Sequence, residues 1–374
     1  MKNDSISRRV FAAMLAGTLG MGATLGLAAC GGQAQPGDSG QQAASEQATT
    51  RTFTDSCGRK VEIPANIERI APSGALAQQV LLTIAPEKLC GLSTKLGAAA
   101  GYVADVDPNL PVFGAVYGGK GDLNKEAIAE AAPDLIIDVG EAKKTIKEDM
   151  DSLQDQLGIP VIHIESSLST YKQAYEQLGE LLGKQDRAAE LGDYCQSAYD
   201  EVNDVVKDIP ESERPKVAYL TGDSGTSALA KGGFMAQVVD LVANNCIEVE
   251  NATASGKGDQ ISLEQIAAFD PQMIVFTADS HYGSVATDPA WADITAVKDG
   301  QVYEAPSKPY NWLSGPPSVN QIMGMQWLAR LCYPDQFPDS MTDVAKSYYK
   351  TFYGHELTDE ECQTIMANAL PKSN

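Results

Sequence analysis

An eighteen-residue pattern occurs twice, offset by 138 positions, and it limits the fold more than any other feature of the chain. The first copy is GDLNKEAIAEAAPDLIID, Gly121 to Asp138; the second is DQISLEQIAAFDPQMIVF, Asp259 to Phe276. Glu126 aligns with Glu264, Ile128 with Ile266, Ala129 with Ala267, Pro133 with Pro271 and Ile136 with Ile274. Each copy opens on a polar helix-cap residue, Asn124 or Ser262, whose side chain can accept from the first free N–H groups of a helix. Seven residues after the glutamate a proline stops that helix, because the residue before a proline avoids the helical region. A short apolar run such as Leu135-Ile136-Ile137 follows and reads as a buried strand. One helix–strand unit used twice predicts two lobes of related design.

Neighbouring segments extend the plan. Ile67–Ala71 and Val217–Leu220 read as opening strands, followed by helices near Ala75–Ile84 and Met235–Ala243. Strands alternating with helical patterns predict an α/β fold in which each lobe is a mainly parallel sheet flanked by helices. Thr52–Ile63 reads as two short strands about a turn at Asp55–Gly58. Between the repeats, Ala188, Leu191, Tyr194, Ala198, Val202, Val205 and Ile209 recur every three or four residues with charges on the other faces. This predicts one long amphipathic α-helix, residues 186–210, closed by Pro210 and Pro215 and joining an N-terminal lobe (51–185) to a C-terminal lobe (211–374). A body this long is expected to hold two cores rather than one.

The N-terminus points outside the cytoplasm. Arg8-Arg9 precede twenty uncharged residues, Val10 to Ala29, ending in Leu27-Ala28-Ala29-Cys30. A charged start, an apolar middle and small residues at the end make residues 1–29 an export signal. The paired arginines fit the twin-arginine variant. Cys30 after Leu-Ala-Ala resembles a bacterial lipobox, which implies cleavage before Cys30 and lipidation of its thiol. Residues 30–50 have almost no large apolar side chain, so they read as a flexible tether. The net charge of −22 repels nucleic acid and anionic lipid and favours a partner with basic residues. Six further cysteines, Cys57, Cys90, Cys195, Cys246, Cys332 and Cys362, are even in number, and both disulfides and free buried thiols fit their wide spacing.

Anchor, tether, twin lobes and helical connector together resemble the solute-binding lipoproteins of bacterial ABC importers, in particular the siderophore- and cobalamin-binding family. The residues carrying the resemblance are Thr52–Ser73 (TFTDSCGRKVEIPANIERIAPS), the two glutamate–proline units, and Trp291–Pro306 (WADITAVKDGQVYEAP). It implies no enzyme activity and no cofactor. It implies an extracytoplasmic monomer, anchored to the outer face of the cell membrane, that hands a metal chelate to permease transmembrane subunits driven by a cytoplasmic ATPase. An iron–siderophore is the first expectation, haem or cobalamin the next. In this family one glutamate on each lobe docks onto the permease; the matching positions are Glu126 and Glu264.

A ligand between two such lobes should meet loops at strand ends. Tyr117, Tyr282, Tyr310 and Trp312 could pack on it; Lys120, Lys231 and Lys308 could pair with its anionic groups, and His281 stands beside Tyr282. Gln78 occupies a position where the family often carries a glutamate. Two other readings stay open. A related set of lipoproteins binds bare zinc or manganese, and His163 and His281 could each sit at a strand end. An exported α/β hydrolase is the contrasting class, although no Gly-x-Ser-x-Gly elbow is present. Gly114 to Lys120 matches most of a phosphate-binding loop, but Gly121 stands where Ser or Thr is needed.

Overall fold

A computed structural model describes residues 49–116, 123–278 and 280–372. The leader, Cys30, nearly all of the tether, Tyr117 and Lys120 lie outside the described residues. The chain opens on an antiparallel hairpin, β1 (Thr50–Thr54) and β2 (Lys60–Pro64), in register from Thr50↔Pro64 to Thr54↔Lys60. Its turn is held from inside. The Asp55 carboxylate accepts from the Arg59 backbone N–H at 2.8 Å and pairs with the Arg59 guanidinium at 3.0 Å.

Next come β3 (Ile70–Pro72), α1 (Ala75–Ile84), α2 (Lys125–Ala131), β4 (Leu135–Gly140), α3 (Ile146–Leu157), β5 (Val161–Glu165), α4 (Tyr171–Leu182) and α5 (Gln185–Val206). The three strands form a parallel sheet in the order β3-β4-β5. Every residue of β4 is buried, as a strand covered on both faces requires. Helix α5 has 22 residues, roughly 33 Å at 1.5 Å per residue. It ends at Val206, short of the expected residue 210, and the reason is local. The Arg214 guanidinium donates to the carbonyls of Val206 (2.8 Å) and Ile209 (3.0 Å), satisfying the free end of the helix.

The rest of the chain adds β6 (Lys216–Thr221), β7 (Ser227–Ala228), α6 (Gln237–Val242), β8 (Asn244–Asn245), β9 (Asp259–Gln260), α7 (Leu263–Phe269), β10 (Met273–Phe276), α8 (Tyr282–Val285), α9 (Thr295–Lys298), β11 (Val302–Glu304), α10 (Gln321–Cys332), α11 (Met341–Tyr353) and α12 (Asp359–Ile365). The second sheet runs β11-β10-β6-β7-β9, with β8 also beside β6. The pairs β6–β10, β10–β11 and β6–β8 are parallel, but β7 is antiparallel to both β6 and β9. The sheet is therefore mixed where a mainly parallel one was expected. The chain turns back at Gly222–Gly225, both glycines at positive φ, and forms a hairpin too short to carry a strand signal.

The internal repeat holds in three dimensions. The Asn124 side chain accepts from Ala127 N–H, and Ser262 makes a reciprocal capping box with Gln265. Both helices end on a left-handed residue other than glycine, Ala132 (φ 45°) and Asp270 (φ 51°), just before the prolines. α2 and α7 keep the same 138-residue offset, as do the starts of β4 and β10.

Two separate cores do not describe the interior. One central core joins Ile137 and Ile162 of the first sheet, through Leu178, Leu191 and Trp327 on the helices, to Val217 and Val275 of the second. Smaller clusters cover the opposite faces, around Ile136 and Met150 on the first sheet and Ile274 and Trp291 on the second. The helices between the sheets are apolar enough to serve both. Cys57, Cys90, Cys195, Cys246, Cys332 and Cys362 are all free thiols. Burial raises the thiol pKa of each one.

Candidate functional site

In open α/β sheets ligands bind beyond the carboxyl ends of the strands. Here those ends carry Ser73-Gly74 after β3, Gly140-Glu141 after β4 and Ser166-Ser167 after β5. Opposite them stand Phe234 and Gln237 beside α6, and Pro317, Ser318 and Gln321 at the start of α10. Leu76 of α1, with Gly140, Glu141, Ser166 and Ser167 on one side and Phe234, Gln237 and Ser318 on the other, lines a small cavity of about 20 Å³. The Ser318 hydroxyl donates to the Leu76 carbonyl at 3.0 Å, so the first turn of α1 meets the second half of the chain.

The start of α1 differs from those of α2 and α7. Gly74 precedes it in extended conformation, no side chain among the described residues caps it, and its first turn has no acidic residue. Its positive end is left for something else to satisfy. A turn further on, Gln78 is buried and fixes the next loop. Its Oε1 accepts from Ser93 N–H (2.7 Å), Ser93 Oγ (3.0 Å) and Thr94 N–H (3.0 Å). Below, Ser73, Asp138 and His163 form a buried polar row across the three strands. His163 Nδ1 lies 2.7 Å from Asp138 Oδ2, and the Ser73 hydroxyl donates to Asp138 Oδ1. Asp138 escaped notice in the sequence. The available signal was a polar residue of matching parity in each of three apolar strands.

The remaining expected ligand residues divide. Tyr310 lies beside Gln78 with its hydroxyl buried, close to that side chain but outside good hydrogen-bond geometry. Burial pushes its phenol up to about 12, partly offset by the Gln78 side chain. Lys308 is exposed, has no ion pair among the described residues, and lines a pocket of about 230 Å³ beyond β10 and β11 with Ala278, Ser307 and Asn368. Lys231 is engaged elsewhere. Its ammonium is 2.5 Å from Glu211 and 3.1 Å from Glu248, carboxylates that raise its pKa. The His281 ring stacks on Trp291 at 5.2 Å, with Nδ1 3.2 Å from the Asp223 carbonyl and Nε2 3.3 Å from Asp288. Tyr282 is half-buried, and burial followed by the nearby Glu304 charge raises its phenol.

Trp312 is a correction: it packs in the core. It is 2 % exposed and edge-on to Trp327 at 6.4 Å. A Cβ on Gly324 would fall 2.1 Å from the Trp312 carbonyl, so α10 closes directly on this loop. Trp312→Ala should cost about 3–5 kcal/mol of stability, as a buried tryptophan does. The check is urea unfolding, and a loss below about 1 kcal/mol would contradict the core assignment.

Glu126 and Glu264 are both exposed, each in the first turn of its helix. Their helices precede β4 of the first sheet and β10 of the second, so they belong to separate sheets. For Glu264, the helix-start N–H and the Ser262 hydroxyl hold the carboxyl below its usual range. Among the described residues no group of three or more His, Cys, Asp or Glu could hold a metal ion. The three histidines lie apart, on Asp138, on Trp291 and on Glu361.

Comparison with known proteins agrees with this geometry. An ABC transporter solute-binding protein from Sulfurospirillum deleyianum superposes with a TM-score of 0.78 at 28% identity, covering 85% of this chain and 99% of its own. The molybdate-binding protein MolA of Haemophilus influenzae is 25% identical over 340 residues, 81% of this chain and 91% of its own length. The Fe(3+)-citrate-binding protein YfmC of Bacillus subtilis is 24% identical over 197 residues, half of this chain and 58% of its own. Residues 93–309 match the periplasmic binding protein family profile. The chain therefore belongs to the periplasmic binding protein family and is the extracytoplasmic substrate-binding component of an ABC importer, not an enzyme.

Proposed function

We propose that this receptor captures a negatively charged metal–oxygen complex, in the first instance an iron chelate, between two lobes and delivers it while tethered through lipidated Cys30. The observation that carries the ligand class is the start of α1, uncapped, free of acidic residues and placed where the two halves meet. Such a helix end favours anionic oxygens. Lys308, exposed beyond the ends of β10 and β11, would meet the same ligand from the second half. Relatives named for ferric citrate and for molybdate share this chemistry. Haem or cobalamin, the next expectation, would call for aromatic side chains to pack on a flat ring, and Trp312 is buried in the core.

Helix α5 would be the connector, since it packs on α4 and α1 of the first half and on α6, α10 and α11 of the second. One stiff helix and a shared core allow only small adjustment between lobes. Glu126 and Glu264 would then be matched docking charges on the two lobes. Calorimetric titration of the purified protein tests the ligand class. Ferric citrate or sodium molybdate should bind with Kd at or below about 1 μM, and cyanocobalamin and haemin should not. Tight binding of either macrocycle with neither anion bound would overturn it.

A further inference from the structure

We infer that His163 sets the charge of the floor beneath the start of α1 and takes up a proton when an anion is seated above it. This rests on the anionic-ligand reading. Asp138 and His163 are register partners on β4 and β5, and Ser73 continues β3 beside them. The Ser73 hydroxyl proton is committed to Asp138. Ser73 also adjoins Gly74, where α1 begins. An anion held by that helix start therefore lies above a buried carboxylate.

Among the described residues the surrounding charges do not cancel it, and Glu141 at the cavity rim is exposed and solvated. Asp55, whose carboxylate is 3.4 Å from the His163 backbone nitrogen, is matched by Arg59, with both side chains almost fully buried. Asp151 of α3 also binds Arg59, but its side chain is 56% exposed and so solvated. The Cys57 thiol donates to Asp55. That leaves Asp138 as the buried carboxylate without a cation among the described residues, and His163 as the titratable group hydrogen-bonded to it. Neutral His163 leaves the pair at −1; protonated His163 makes it neutral. The His163 Nε2 is buried with no hydrogen-bond partner among the described residues, so the Nδ1 contact to Asp138 is what holds the ring. An anion seated above the pair therefore favours its protonated, neutral form. By reciprocity, protons then strengthen anion binding by the factor that the anion strengthens proton binding.

The experiment is titration of the full mature chain with sodium molybdate and with ferric citrate, in buffers of different ionisation enthalpy, from pH 6 to 8.5. Molybdate is the cleaner probe because its charge is constant over this range. The wild type should take up a measurable fraction of a proton, at most one, per ligand within this range. Its affinity should fall by up to about tenfold per pH unit above pH 7. His163→Asn keeps an N–H donor for Asp138 without a titrating ring, and it should abolish both the uptake and the slope. If that variant does not fold, histidine ring-proton NMR of the wild type replaces it, with His281→Asn and His355→Asn used for assignment. The His163 titration should then move to higher pH on ligand binding. Anion binding with no proton uptake, uptake that persists in His163→Asn, or an unmoved His163 titration overturns the inference and leaves the ligand class standing. Failure of both anions to bind removes the ligand class and the inference with it.

Discussion

Changing Glu126 and Glu264 together to alanine is expected to cut ligand uptake by cells at least about tenfold while leaving the affinity of the purified receptor within about twofold. The two carboxylates are exposed, sit in the first turns of helices built alike, and precede equivalent strands in separate sheets. An ordinary first-turn glutamate is favoured by the helix dipole alone, and its loss would only trim stability. A docking glutamate loses a basic partner on the permease, so encounter and register suffer instead. Each single substitution should fall between wild type and the double variant. Uptake that survives the double change with binding intact would sink the docking role. Uptake lost together with binding would place the glutamates in the ligand site.

The second large effect is on stability. Arg59→Ala should destabilise the protein by about 3–5 kcal/mol, because removing one member of a buried pair strands the other. The Arg59 guanidinium donates to Asp55 at 3.0 Å, Asp151 at 2.6 Å, the Gln154 side chain at 3.3 Å and the Val161 carbonyl at 2.9 Å. Without it, the Asp55 carboxylate keeps its burial and loses its counter-charge. The turn also covers the free edge of β5, since Ser56 N–H donates to the His163 carbonyl at 2.9 Å, so edge protection is lost too. Urea unfolding measures the change; a loss under about 1 kcal/mol would show that water reaches Asp55.

What the sequence revealed was local. The caps at Asn124 and Ser262, the stops at Pro133 and Pro271, and α1 over Ala75–Ile84 depend on neighbours a few residues away, and all appear as expected. What it hid depends on distant partners. Trp312 reads as a loop aromatic until Gly324 brings α10 against it. Lys231 reads as a free cation until Glu211 and Glu248 fold beside it. Asp138 reads as one more strand residue until β3 and β5 set Ser73 and His163 on either side. The shared central core was equally hidden, because periodicity shows that a helix has an apolar face but not which sheet it covers.

Anomalous diffraction from crystals grown with molybdate or ferric citrate tests the central claim most directly, because the metal reports its own position. One strong peak is expected between the start of α1 and the Lys308–Tyr310 segment, within reach of the Gly74–Ala77 backbone N–H groups. A peak on an outer face, or none between the halves at saturating ligand, would contradict it.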